Sequence, residues 1–169
     1  VPEGDGIAGA VLAADGREIA IRSRRGVVLA CGGYPHDLPR RARSFPRPEG
    51  HLTLAVPEAC GDGLRLGESA GGSQAQGLAA PAAWCPVSHV DWPDGTHGVF
   101  PHIIDRGKPG LIGVLASGRR FCNEGLGYHD YVEAMLAHVP EGEEVASWLI
   151  CDRRFLRRYG LGIVCPSPV

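Results

Sequence analysis

Pro109-Gly110-Leu111-Ile112-Gly113-Val114-Leu115, Ala116-Ser117-Gly118 and Arg119-Arg120-Phe121-Cys122-Asn123-Glu124 run consecutively and give way to Gly125-Leu126-Gly127-Tyr128-His129-Asp130-Tyr131. A short apolar run, broken by a Ser-Gly turn and resumed by Arg-Arg-Phe, reads as a hairpin. Beyond Gly127, the apolar residues Tyr131, Val132, Met135 and Leu136 recur at the spacing of one helical face. Asn123, Glu124 and Tyr128 therefore fall on a strand-to-helix junction, a place where rigid elements commonly present chemistry on a loop.

Around this centre the chain has 169 residues, 44% of them hydrophobic, enough for one large or two small domains with a core. The net charge is −2, and basic residues come as scattered pairs such as Arg40-Arg41, Arg119-Arg120 and Arg157-Arg158, which argues against a nucleic-acid partner. The six cysteines, at positions 31, 60, 85, 122, 151 and 165, form no Cys-x-x-Cys and no metal-ligand knuckle. They read as free thiols of a reducing, cytoplasmic compartment. No apolar run reaches the roughly 20 residues that span a bilayer, and no signal peptide is read. Val1 in place of an initiating methionine, and the ending Pro166-Ser167-Pro168-Val169, lead to the expectation of an internal fragment whose partners include the missing N- and C-terminal parts of the same chain.

Towards the N-terminus, residues 7–14 and 18–24 are β-rich and joined by Asp15-Gly16, a dipeptide favoured in tight hairpins. Gly26-Val27-Val28-Leu29-Ala30 predicts a buried strand, which runs into Cys31-Gly32-Gly33, where glycine lets a backbone approach something closely. A short helix is predicted over 36–43. A second follows Gly61-Asp62-Gly63 and closes at Gly71-Gly72, with N-terminal amides suited to polar or anionic ligands. Residues 77–108 are rich in Ala, Pro, Gly, Trp and His, with strand potential over 99–105, so a domain boundary is placed near Gly77. A strand over 146–151 and a helix from 152 to 159, capped by Asp152, complete the reading.

Two motifs invite other readings. Gly4-Asp5-Gly6-Ile7-Ala8-Gly9 fits a dinucleotide-binding pattern but lacks the strand before and the helix after that such a site needs. Gly67-Glu68-Ser69-Ala70-Gly71 fits the nucleophile elbow of α/β-hydrolases, which would make Ser69 an esterase nucleophile with a base from His89, His97, His102 or His129. Its upstream residues are amphipathic where an elbow needs an apolar strand. A domain used for ligand binding alone is the remaining alternative.

Gly-x-Arg-Phe-x-Asn-Glu over 118–124, with its preceding Gly-Leu-Ile-Gly-Val strand and following Tyr-His-Asp-Tyr, resembles the substrate-domain signature of FAD-dependent fumarate reductases and 3-ketosteroid Δ1-dehydrogenases, one flavoprotein superfamily. The resemblance implies an α+β chain: part of an FAD-binding α/β domain of hairpin, strand and helices over 1–76, an α+β substrate-binding cap over 77–151, and a return segment over 152–169. It implies FAD contacts at Gly32 and Gly33, after Cys31 in place of the family's threonine, and at Asp62. Four residues after the motif's glutamate, fumarate reductases carry a proton-donating arginine. Tyr128 stands there, resembling the dehydrogenases, whose tyrosine helps abstract a proton. The resemblance also implies substrate contacts from His102, Glu124 and Tyr128. In place of the reductases' Thr-Glu-x-x-Arg clamp stands Phe100-Pro101-His102-Ile103-Ile104-Asp105, which turns the expected substrate from a dicarboxylate to a small apolar or steroid-like ketone.

Overall fold

The computed structural model describes residues 1–167, in two compact units, Val1–Arg43 with Ala55–Ala79, and Ser44–Leu54 with residues 80 onward. Both mix helix and strand.

The first unit opens with a two-residue pair, β1 (Pro2–Glu3) and β2 (Gly6–Ile7), followed by the hairpin of β3 (Gly9–Ala14) and β4 (Arg17–Arg22). The ladder pairs Leu12 with Ile19 and Ala14 with Arg17, and the Asp15-Gly16 turn closes it with both residues at positive φ, as the dipeptide predicts. Two helices follow, α1 (Leu38–Ser44) and α2 (Asp62–Ser69). Asp37 caps the first by accepting the Arg40 amide at 3.0 Å.

The predicted strand over 26–30 does not form. Val28 is 89% exposed, and among the described residues no strand runs beside this segment. An apolar run becomes a buried strand only when neighbours take up its amides on both sides.

In the second unit, β5 (Val87–Asp91) and β6 (His97–Pro101) form an antiparallel pair around the Asp94-Gly95 turn. The strand predicted over 99–105 ends early. After Pro101, which lacks an amide for the ladder, the chain turns into a short 3-10 segment, Asp105–Gly107. Next come β7 (Leu111–Val114), α3 (Tyr128–His138), β8 (Trp148–Cys151) and α4 (Arg153–Tyr159). Asp152 caps α4 through the Phe155 amide at 2.7 Å, as predicted.

The hairpin predicted over 109–124 is only partly present. Its turn closes, with Leu115 donating to Arg119 at 3.0 Å, but a single bridge, Val114 to Arg120, joins the arms. The ladder partner of β7 is β8, in register from Leu111 opposite Cys151 to Val114 opposite Trp148. The Gly113 amide is taken by the Glu124 carboxylate at 2.8 Å. A side chain thus does the work of a strand carbonyl, and the second arm is released.

The core of this unit gathers Trp84, Phe121, Tyr131, Val132 and Met135. Tyr131 is wholly buried, edge-on to Phe121 with ring centroids 5.0 Å apart, and its hydroxyl pairs with Ser147 at 3.0 Å. Gly113 passes so close that a Cβ there would lie 2.4 Å from the Tyr131 hydroxyl. This close approach accounts for a glycine inside an apolar strand.

Candidate functional site

In the first unit the two glycine-bearing segments singled out from sequence lie side by side. The Gly61 amide donates to the Gly33 carbonyl at 3.1 Å, and a Cβ on Gly63 would come within 2.9 Å of the Cys31 sulfur. Gly32 and Gly61 both hold positive φ, near +80°. No side chain caps α2 at Gly61, and Asp62 opens the helix with its carboxylate exposed and paired to Arg65. Helical amides that donate, a carboxylate that accepts and a backbone without Cβ atoms suit a polar cofactor, which keeps Gly32, Gly33 and Asp62 as candidates to hold FAD. Behind them Arg40 grips Glu68 through two bonds, at 3.0 and 3.1 Å.

Ser69 is the last residue of α2, and its hydroxyl donates to the Leu66 carbonyl at 2.8 Å. An elbow serine must stand on a turn between strand and helix, so this position does not present a nucleophile. The Gly4–Gly9 match is likewise spent on the β1–β2 turn and the start of β3.

In the second unit the strand-to-helix junction is organised by two buried charges. Arg106 is 1% exposed; it donates to the carbonyls of Leu126 at 2.7 Å, His102 at 3.3 Å and Glu124, while its guanidinium lies 4.8 Å from the centre of the Tyr131 ring. Glu124 is 6% exposed and accepts from the Gly113 amide and from Arg120 at 2.9 and 2.5 Å. Burial alone would raise its pKa, but the Arg120 hydrogen bonds and the Gly113 amide outweigh it and bring the carboxyl down to about 2. Both oxygens of Glu124 are thereby engaged by the chain itself. The loop between Glu124 and Gly127 is tied down at both ends, and Tyr128 emerges from it at the first turn of α3, 41% exposed.

The neighbours of Tyr128 have other employment. His129 accepts the Trp84 amide at 3.1 Å, and Glu133 accepts the Trp84 indole N–H at 2.6 Å. Burial pushes the Tyr131 phenol up, with only partial relief from the Ser147 hydrogen bond, so it stays protonated in the core. Burial likewise raises the Cys85 and Cys122 thiols. All six cysteines are free, and no group of residues able to hold a metal occurs among the described residues. Nor, among those residues, is any helix long and apolar enough to cross a membrane.

His102 is 4% exposed, with Nε2 2.6 Å from the Ser88 hydroxyl and Nδ1 2.8 Å from Asp105. Sequence reading found the histidine but missed Ser88, Asp105 and Arg106. The one local cue was a carboxylate three residues after a histidine in a segment read as strand.

A family model described as "FAD binding domain" matches residues 1–160, and the chain belongs to that family of flavin-binding proteins. Its relatives include the 4-oxocyclohex-2-ene-1-carboxylate 5-dehydrogenase of Sinomonas cyclohexanicum, 34% identical over 152 residues, which cover 88% of this chain and 26% of that protein. The 3-oxosteroid 1-dehydrogenase of Mycobacterium tuberculosis is 34% identical over 146 residues, 82% of this chain and 24% of the relative. Among solved structures, the 3-ketosteroid delta1-dehydrogenase from Sterolibacterium denitrificans in complex with 1,4-androstadiene-3,17-dione superposes with a TM-score of 0.78 at 29% identity, covering 96% of this chain and 28% of that one. The chain spans about a quarter of the length of these proteins. The flavoprotein likeness read from 118–131 is thus shown, and the serine-esterase alternative finds no support in these likenesses.

Proposed function

We propose that the protein carrying this chain is an FAD-dependent dehydrogenase that introduces a double bond next to the carbonyl of a cyclic ketone, with Tyr128 as the general base. The observation that carries this reading is the contrast between two tyrosines three residues apart. Tyr131 is wholly buried and bonded, whereas Tyr128 is exposed at the first turn of α3, directly after a loop fixed by Arg106 and Glu124. A base must be positioned and reachable, and its contribution to rate is typically about 10²–10⁴-fold.

In this scheme Tyr128 takes the proton from the carbon next to the carbonyl. FAD, when bound, accepts the second hydrogen as hydride. Glu124 acts as a positioning residue, because its carboxylate is engaged by Arg120 and Gly113. Gly32, Gly33 and Asp62 serve the cofactor, residues 1–76 forming its partial domain and 77–151 the cap over the substrate, in a cytoplasmic enzyme.

What Arg106 cannot do supports this choice of substrate. A dicarboxylate needs an arginine free to grip it, and this one spends its donors on three backbone carbonyls. The adjacent Ile103 and Ile104 are 49% and 74% exposed, an apolar surface suited to a ring. The named relatives act on oxosteroids and an oxocyclohexene carboxylate, which favours a cyclic ketone here.

The test is Tyr128→Phe in the full-length flavoprotein, read as bleaching of the flavin by a 3-oxosteroid or a 4-oxocyclohexane substrate under anaerobic conditions. The expected outcome is a loss of about 10²-fold or more in the reduction rate with flavin content unchanged. Reduction at the unaltered rate removes Tyr128 from the chemistry.

A further inference from the structure

Ser88, His102 and Asp105 lie far apart in role from Tyr128 and its loop, and dehydrogenation leaves their arrangement unexplained. Ser88 sits on β5, exposed, and is paired across the ladder with Phe100, two residues before His102. The His102 ring lies against Phe100 with centroids 5.3 Å apart, and its backbone amide is held by the Pro86 carbonyl at 2.8 Å. Asp105 is fixed in turn: its carboxylate accepts the Gly162 amide at 3.0 Å and the Arg106 amide at 3.0 Å besides His102.

The proton positions follow from the inventory of donors. Burial raises the Asp105 pKa, but the Gly162 amide and His102 outweigh it and leave it below the ordinary aspartate value. An ionised carboxylate only accepts, so Nδ1 of His102 carries the hydrogen. In the neutral ring, Nε2 then presents its lone pair to the Ser88 O–H. Nucleophile, base and orienting carboxylate stand at 2.6 and 2.8 Å, inside the hydrogen-bonding range that activates a serine. Ser88 and His102 open into a cleft of about 340 Å³, walled by Phe100, Trp148, Leu149 and Ile163.

We propose that Ser88 is a nucleophilic serine, activated by His102 and positioned through Asp105, that is acylated by small apolar esters entering this cleft. In the step, the Ser88 oxygen forms a bond to the ester carbonyl carbon while the bond from that carbon to the leaving oxygen breaks. The Ser88 proton passes to Nε2 of His102 and from there to the departing alkoxide. No oxidant or cofactor takes part.

The experiment treats the purified protein with a fluorophosphonate probe and locates the adduct by peptide mass spectrometry. The serine oxygen displaces fluoride from phosphorus, and its proton goes to His102. The expected result is an adduct at Ser88, absent in Ser88→Ala, formed about 10²-fold more slowly in His102→Gln. Asp105→Asn should slow it at least tenfold, with the rate restored in Asp105→Glu. A protein that takes no label at Ser88, or labels there at the same rate in His102→Gln, overturns the proposal. Should the histidine variant not fold, Ser88→Cys decides instead. Its new thiol must react with iodoacetamide faster than the exposed Cys31 and Cys165 of the same molecule, and equal rates refute activation.

Discussion

Replacing Glu124 with glutamine tests whether a single carboxylate holds the junction together. The change keeps the shape and the oxygen that accepts the Gly113 amide and Arg120 Nε, but removes the charge and turns the oxygen that accepts Arg120 Nη2 into an amide nitrogen that only donates. The folded carboxyl titrates at about 2, against an ordinary value of 4.5. A displacement of that size corresponds to about 3 kcal/mol of stability. Arg120 has a side chain 55% exposed, so water screens part of the attraction, and about 2 kcal/mol is the figure to expect. The sign is fixed by the direction of the shift. The depressed carboxyl contributes its full stability above pH 4.5 and loses it as pH falls from there towards 2. Urea unfolding of wild type and Glu124→Gln at pH 7 should therefore differ by about 2 kcal/mol, and the gap should close steadily as the buffer is taken down to pH 2.5. A gap that is constant with pH would show that glutamine destabilises by misfit rather than by lost charge. No gap at neutral pH would refute the reasoning altogether.

Three further outcomes are expected. Gly113→Ala places a methyl 2.4 Å from the Tyr131 hydroxyl and should cost about 1–3 kcal/mol in thermal unfolding, relieved in part by Tyr131→Phe. Arg106→Met fills the space but leaves the Glu124 and Leu126 carbonyls without their donor, so a loss of about 2–4 kcal/mol is expected, visible as faster amide exchange around residues 124–128. The 169-residue chain purified alone should be colourless, because its Gly4–Gly9 glycines are spent on a strand turn and supply no helical amides for a pyrophosphate; a yellow preparation with stoichiometric flavin would contradict this.

Local chemistry was legible where the determinants are local. Asp15-Gly16 gave its hairpin, Asp152 its helix cap, and the apolar spacing after Gly127 the helix from Tyr128. The adjacency of Gly33 and Gly61 depends on a hydrogen bond between segments 28 residues apart, yet both segments were identified, because a backbone that needs positive φ writes glycine into the sequence. What escaped was long-range. Nothing near 111–114 says that its ladder partner is 148–151, and a carboxylate replacing a strand carbonyl leaves no periodic trace. Val27 and Val28 misled for the opposite reason: apolar character reports what a segment would bury, not whether a neighbour stands beside it. Nothing in the residues around position 106 marks its arginine out, because its three carbonyl partners at 102, 124 and 126 are met only in the fold.

That guanidinium has a practical corollary for anyone transplanting the tyrosine loop onto another scaffold. The geometry of 124–128 is encoded at position 106 as much as within the loop, so a graft confined to the loop would carry the letters without the mould. A transferable cassette must reach at least from Arg106 through Tyr131, together with the strand that pairs with β7, and a lysine at its first position would not serve, since one ammonium cannot reach three carbonyls on separate turns of backbone.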